Sequence, residues 1–192
     1  MTAGKKIFNY ILKFIIIIVA FCILLCGLML SSCSKTQKID DVTQFEEAIN
    51  EVYGASTHIP CIEELGEYES VEILTKETKY CLWIINSITL KVKYDTANFE
   101  KALNDIELKY AFLKETKEEL YDYFAIIDGY EIQVVDKTEK MQTDYSYHYP
   151  KCFLMIGVNR QEQTIVYLYH YDIDLDTIKD LDDFINKYYV FE

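Results

Sequence analysis

Cys152 and His170 are the residues of this chain with the most reactive chemistry. They sit in two alternating apolar stretches, KCFLMIGV and TIVYLYHYD, joined by the polar segment Asn159 to Gln163. If the stretches form a hairpin in which Val158 faces Thr164, Cys152 lies opposite His170. An imidazole beside a thiol takes its proton and yields the thiolate nucleophile of a cysteine-dependent enzyme. No third group that would orient the imidazole is visible. A core cysteine near a strand-end histidine accounts for the same residues.

Two further constellations have ligand chemistry. In DIDLDTIKDLDD, Asp172, Asp174, Asp176 and Asp183 match positions 1, 3, 5 and 12 of a calcium-binding loop. Thr177 stands where that loop needs Gly for its sharp turn, so an acidic turn that caps a helix is the simpler reading. His58 and Cys61, in HIPC, could begin a metal site, but the other histidines form no second close pair. No metal is expected. The chain has no phosphate-binding loop, G-x-S-x-G, H-E-x-x-H or dinucleotide glycine pattern, and no cofactor is expected.

Tyrosine is abundant, at 17 residues, and it alternates. DYSYHYP places Tyr145, Tyr147 and Tyr149 on one side of an extended segment, and YLYHYD does the same for Tyr167, Tyr169 and Tyr171. In the pairing above, Phe153 and Met155 join the tyrosine face, while Leu154, Ile156, Val166 and Leu168 form an aliphatic one. Tyrosine combines apolar area with a polar handle and is favoured at recognition surfaces. Tyr145, Tyr147, Tyr167, Tyr169 and Tyr171 are therefore candidate binding residues for an envelope protein, peptide or glycan. The alternative is a covered, interior face.

These residues need elements to position them. TQFEEAINEVY has apolar residues at helical spacing and Glu46 three after Thr43, the capping-box spacing, so a helix is expected over about 43–53. ANFEKALNDIELKYAFL predicts a second helix. FEEAINEV and FEKALNDI align position by position at an offset of 54. The stretches YCLWI and ITLKVKYD form either a hairpin turning at Asn86-Ser87 or one unbroken strand; alternation alone does not separate the two. Residues 126–136, IIDGYEIQVVD, read as one strand, and Thr177 to Tyr189 as a final helix capped by Thr177. The fold class expected is α+β: antiparallel sheet with flanking helices, arranged as a tandem α-β-β-β duplication, with halves 42–95 and 96–192, plus a C-terminal helix.

At the other end of the chain, Lys5, Lys6 and Lys13 precede Phe14 to Leu30, which carries no charge. A basic start, an apolar middle and a small-residue end make a secretory signal. Leu30-Ser31-Ser32-Cys33 resembles the lipobox of bacterial lipoproteins. That resemblance implies that the Cys33 sulfur receives a diacylglycerol and that residues 1–32 are cut away. An uncleaved helical anchor is the alternative, because about 17 apolar residues is at the short end of a bilayer span. On either reading the lysines stay inside and the rest of the chain crosses to the outer face. Two acyl chains, at about 0.8 kcal/mol per buried CH₂, suffice for lasting attachment to the cell membrane. Residues 33–41 then form a lipidated cysteine and a short polar tether, and 42–192 an extracytoplasmic domain. The tract from Lys151 to Ile178 also resembles tracts of uncharacterised lipoproteins of clostridia-like bacteria, which implies no known activity.

Removing residues 1–32 takes three lysines and no acid from 19 basic and 32 acidic residues, leaving a formal charge of −16. Nucleic acid is not a partner for such a surface, since phosphate neutralisation needs clustered Lys and Arg. Cys61, Cys81 and Cys152 remain beside Cys33, an odd number with no C-x-x-C spacing, and three thiols is the simplest state. The expected function is a membrane-anchored binding or accessory module without catalysis; a cysteine-dependent enzyme and an immunity or inhibitor lipoprotein are the alternatives.

Overall fold

The computed structural model describes residues 3–30, 33–39, 41–79, 83–114, 122–138, 151–173 and 178–189. The first element is the helix α1 (Ala3–Leu30), about 42 Å long at 1.5 Å per residue. All of its described side chains are exposed. Among the described residues no helix is long and apolar enough to cross a membrane.

The folded part is α+β. It contains β1 (Cys33–Ile39), α2 (Val42–Glu51), α3 (Ala55–His58), a 3₁₀ turn (Ile62–Leu65), β2 (Ser70–Lys79), β3 (Ile84–Lys93) and α4 (Thr96–Lys109), followed by β4 (Tyr110–Phe112), β5 (Phe124–Ile127), β6 (Tyr130–Thr138), β7 (Lys151–Asn159), β8 (Thr164–Asp172) and α5 (Leu181–Tyr188). The strands make one sheet in the order β1-β2-β3-β8-β7-β6-β4, with β5 also paired to β6, and every pair is antiparallel.

Helices cover both faces of the centre of this sheet. Phe45 and Ile49 of α2 and Phe99, Leu103 and Ile106 of α4 pack on one face with Ile88, Leu90, Leu154, Ile156, Tyr167 and Tyr169. Leu181, Phe184, Ile185 and Tyr188 of α5 pack on the other with Phe153, Met155, Val166 and Leu168. Almost every residue of β7 and β8 is consequently buried, which is why these strands read as near-continuous apolar runs. Burying one such aliphatic or aromatic side chain is worth about 1.5–3 kcal/mol.

Several sequence expectations change in detail. Asn86 and Ser87 lie in the middle of β3, which is unbroken and pairs along its length with β2. The segment 126–136 is a hairpin, because Asp128 and Gly129 both take positive φ, 49° and 80°, as a two-residue hairpin turn requires. Residues 33–39, read as tether, form β1 and pair with β2 from Cys33 onward. Asp41 and Asp95, at the offset of 54, are the helix caps; their carboxylates accept backbone N–H bonds at 2.9 Å. The element order is nonetheless not α-β-β-β twice: two strands follow α2 and α3, five follow α4, and the two halves share one sheet at the β3–β8 pair.

Gly157 stands at a tight point of the sheet. It pairs with Ile132 on one side and Val166 on the other, and an added Cβ would stand 2.7 Å from Val166 Cγ2 and 2.9 Å from Ile132 Cγ1. Gly157→Val overpacks this row and is expected to cost about 1–3 kcal/mol. Thermal unfolding reads this as a fall of about 2–4 °C per kcal/mol.

Candidate functional site

Cys152 and His170 do not meet. The chain between β7 and β8 turns through Arg160–Gln163, so Asn159, not Val158, faces Thr164, and Val158 faces Ile165. Asn159 Oδ1 holds this turn by accepting from the backbone N–H groups of Gln161 at 3.1 Å and Glu162 at 3.0 Å. A shift of one residue exchanges the two faces of a strand. Cys152 therefore pairs with Tyr171, and His170 with Phe153. Cys152 belongs to the core under α2 and α4, and His170 packs under α5 on the opposite face. No Cys–His dyad forms from this pair.

His170 is fully buried. Its Nδ1 lies 3.1 Å from Ser87 Oγ, and the rings of Phe153, Phe184 and Tyr188 surround it at centroid distances of 5.5, 4.8 and 4.8 Å. Burial, and then the charges of Lys187 and Lys151, push its pKa down to about 3. The imidazole is neutral and enclosed. It anchors α5 against β3 and offers no surface to a substrate.

The histidine near Cys152 is His58. A Cβ on Gly54 would lie 3.7 Å from Cys152 Sγ, 3.8 Å from His58 Cε1 and 2.9 Å from the Tyr169 hydroxyl. Gly54 also has φ +72°, so only glycine suits this position. His58 Nδ1 is 2.7 Å from the Gly54 carbonyl, and since a carbonyl only accepts, Nδ1 carries the hydrogen. The Tyr169 hydroxyl donates to the Tyr53 carbonyl. All three side chains are buried, and the cluster locks the α2–α3 corner onto the sheet. Sequence reasoning missed it; the available signal was Gly54 after the first helix, with His58 one helical turn on.

His58 and Cys61 take separate roles. Cys61 caps the 3₁₀ turn, and its thiol pKa is raised by partial burial and by the charges of Glu64 and Glu63. Among the described residues no three His, Cys, Asp or Glu side chains converge as a metal site, and no disulfide joins the described cysteines; Cys81 is outside them. Of the acidic run, Asp172 is buried at the end of β8 and Asp183 is exposed on α5. Asp180, in place of Thr177, caps α5 by accepting from Asp183 N at 2.9 Å. Asp174, Asp176 and Thr177 lie outside the described residues.

The tyrosine stripe divides. Tyr167 and Tyr169 are core residues, and Tyr171 is partly buried against Tyr53, with ring centroids 5.4 Å apart. The corrected register puts them with Cys152, Leu154 and Ile156, and moves Phe153 and Met155 to the α5 face. Tyr145 and Tyr147 lie outside the described residues. One concavity open to solvent is a groove of about 460 Å³ between α2 and β1–β3, with Lys35, Gln37, Gln44, Glu47, Glu77 and Asn86 in its lining. Its mixture of amides and opposite charges offers hydrogen bonds to a polar ligand. Cys33 stands exposed at the first position of β1.

The chain matches no protein-family model, no curated protein and no solved structure.

Two measurements follow from this placement. An unfolded imidazole titrates near 6.5, so with His170 held near 3 unfolding takes up a proton between these values. Its contribution is complete above about pH 6.5 and is lost as pH falls through that window, with a slope of at most about 1.4 kcal/mol per pH unit. Denaturant titrations at pH 7 and 5 should show a smaller difference for His170→Asn than for the parent. Tyr167→Ser with Tyr169→Ser removes two interior rings, and a loss of about 3 kcal/mol or more per ring is expected. A melting temperature near the parent's would instead place both rings at the surface.

Proposed function

We propose that the protein is a membrane-anchored extracytoplasmic lipoprotein whose folded part is a binding module without catalytic chemistry. The observation that carries the anchor is α1 with its sequel. The described side chains of α1 are all exposed, an apolar surface larger than a water-facing helix keeps uncovered. Cys33 then follows with its side chain in the open, where an acyl-transferring enzyme can reach it. The lipobox spacing of Leu30 to Cys33 supplies the chemistry, and the formal charge of −16 suits a solvated outer-face domain.

Burial favours binding over catalysis. Among the described residues Cys152, His58 and His170 are interior, and a nucleophile or base needs substrate within reach; the partly exposed Cys61 thiol has its pKa raised, which disfavours the thiolate. The groove between α2 and β1–β3 is an open concave surface with convergent polar groups. Its ligand on this reading is a peptide or an envelope glycan held by hydrogen bonds from Gln37, Gln44 and Asn86.

Metabolic labelling with a fatty-acid analogue tests the anchor. The parent should carry label and migrate as the shortened form, and Cys33→Ala should be full-length and unlabelled. Label that persists in the variant, or is missing from the parent, removes the lipoprotein reading and leaves α1 as an uncleaved anchor.

A further inference from the structure

Across the sheet, the end of the strands that begins at Cys33 collects apolar side chains. Cys33 pairs with Lys79 of β2, Lys79 with Ile84 of β3, and Ile85 with Asp172 of β8. This places Ile84 beside Ile173, which follows β8. Ile84 and Ile173 are 41% and 46% exposed, and Trp83, one residue before β3, is 39% exposed. Among the described residues outside α1, seven large apolar side chains are exposed, and three of them occupy this one corner. Neighbouring strands are about 4.8 Å apart, so Ile173 lies only about 14 Å from Cys33 across three inter-strand gaps.

The same corner is tied to the apolar helix. Only Ser31 and Ser32 separate α1 from β1 in the sequence, and three chain steps span at most about 11 Å. No slack follows Cys33, because β1 pairs with β2 from its first residue. A domain attached at Cys33, by acyl chains on its sulfur or by α1 itself, is held with this end of its sheet against the bilayer.

We infer that Trp83, Ile84 and Ile173 form a membrane-contact face that seats the domain on the bilayer surface in one orientation. The inference rests on the anchored reading given above. Tryptophan is favoured at the membrane interface because its ring is apolar and its indole N–H reaches the headgroup layer. The two isoleucines supply apolar area without charge. For a strongly acidic domain this is the usable contact, since anionic headgroups repel it. With its strands directed away from the bilayer, the domain holds its groove between α2 and β1–β3 beside the surface, open to envelope ligands.

Trp83 is the single tryptophan of the chain and reports on its own position. The full chain is purified from membranes and reconstituted in phosphatidylcholine vesicles, where flotation reads attachment. Lipids brominated close to the headgroup read the position of Trp83, and aqueous iodide reads its exposure. The expected result is flotation together with loss of Trp83 emission on brominated lipid and protection from iodide. Ile84→Asp with Ile173→Asp should keep flotation and the parent's circular dichroism but restore iodide quenching. Flotation with no effect of brominated lipid overturns the contact face and leaves the anchor intact. Failure of the parent to float overturns both. Lipid quenching that persists when the parent carries no acyl label supports the face, with α1 as its anchor.

Discussion

The turn Arg160–Gln163 fixes the register of the two most deeply buried strands, and both cores are assembled on that register. Asn159 holds the turn from within through its side-chain carbonyl, and Gln163 takes a left-handed φ of 54° to close it. The Gln163 carbonyl accepts from Tyr94 N at 3.0 Å, and its side-chain amide donates to Thr96 Oγ1 at 2.6 Å. One turn thus ties β7 and β8 to the end of β3 and the start of α4. A slip of one residue in β7 would send Cys152 and Leu154 to the α5 face and Phe153 and Met155 under α4, disrupting both cores together.

That dependence explains what the sequence makes legible. The helices α2, α4 and α5 follow from apolar residues at a period of 3.6, and the buried positions Phe45, Ile49, Phe99, Leu103, Leu181 and Phe184 lie on the expected stripes. Their caps are less legible because acidic residues crowd each helix start; Asp41 and Asp180 take the role that spacing assigns to Thr43 and Thr177. The strands β7 and β8 are recognisable as strands, but their register is not. Alternation specifies register when one face is wet, and here both faces are covered, so either parity places apolar residues inward. The Asp128-Gly129 turn carried a usable signal, hidden because apolar residues continue on both sides. The strand β1 is polar, and its order comes from β2, far along the chain.

Desolvation governs the candidate site in the same way. Cys152, His58 and His170, which look reactive in a list of side chains, are closed off from water. Burial pushes Tyr94 and Tyr130 up to about 12 and His170 down to about 3, so each is held in its neutral form. Their polar atoms serve the architecture: Ser87 with His170 fastens α5, and Tyr169 with the Tyr53 carbonyl fastens the α2–α3 corner. On the proposed reading, recognition falls to the polar groove and to the corner beside Cys33.

The direct continuation of Cys33 into β1 also sets how the molecule bears load. On the lipoprotein reading, a partner that pulls the domain away from the bilayer transmits tension through the sulfur into the end of an edge strand. Tension directed along β1 loads its ladder with β2, Cys33↔Lys79 to Ile39↔Ile73, in shear, so the rungs share the force. Tension directed across the strand would open them one at a time from Cys33. The attachment is therefore strong along the strands and weak across them, and the direction of pull decides whether the anchor holds or peels.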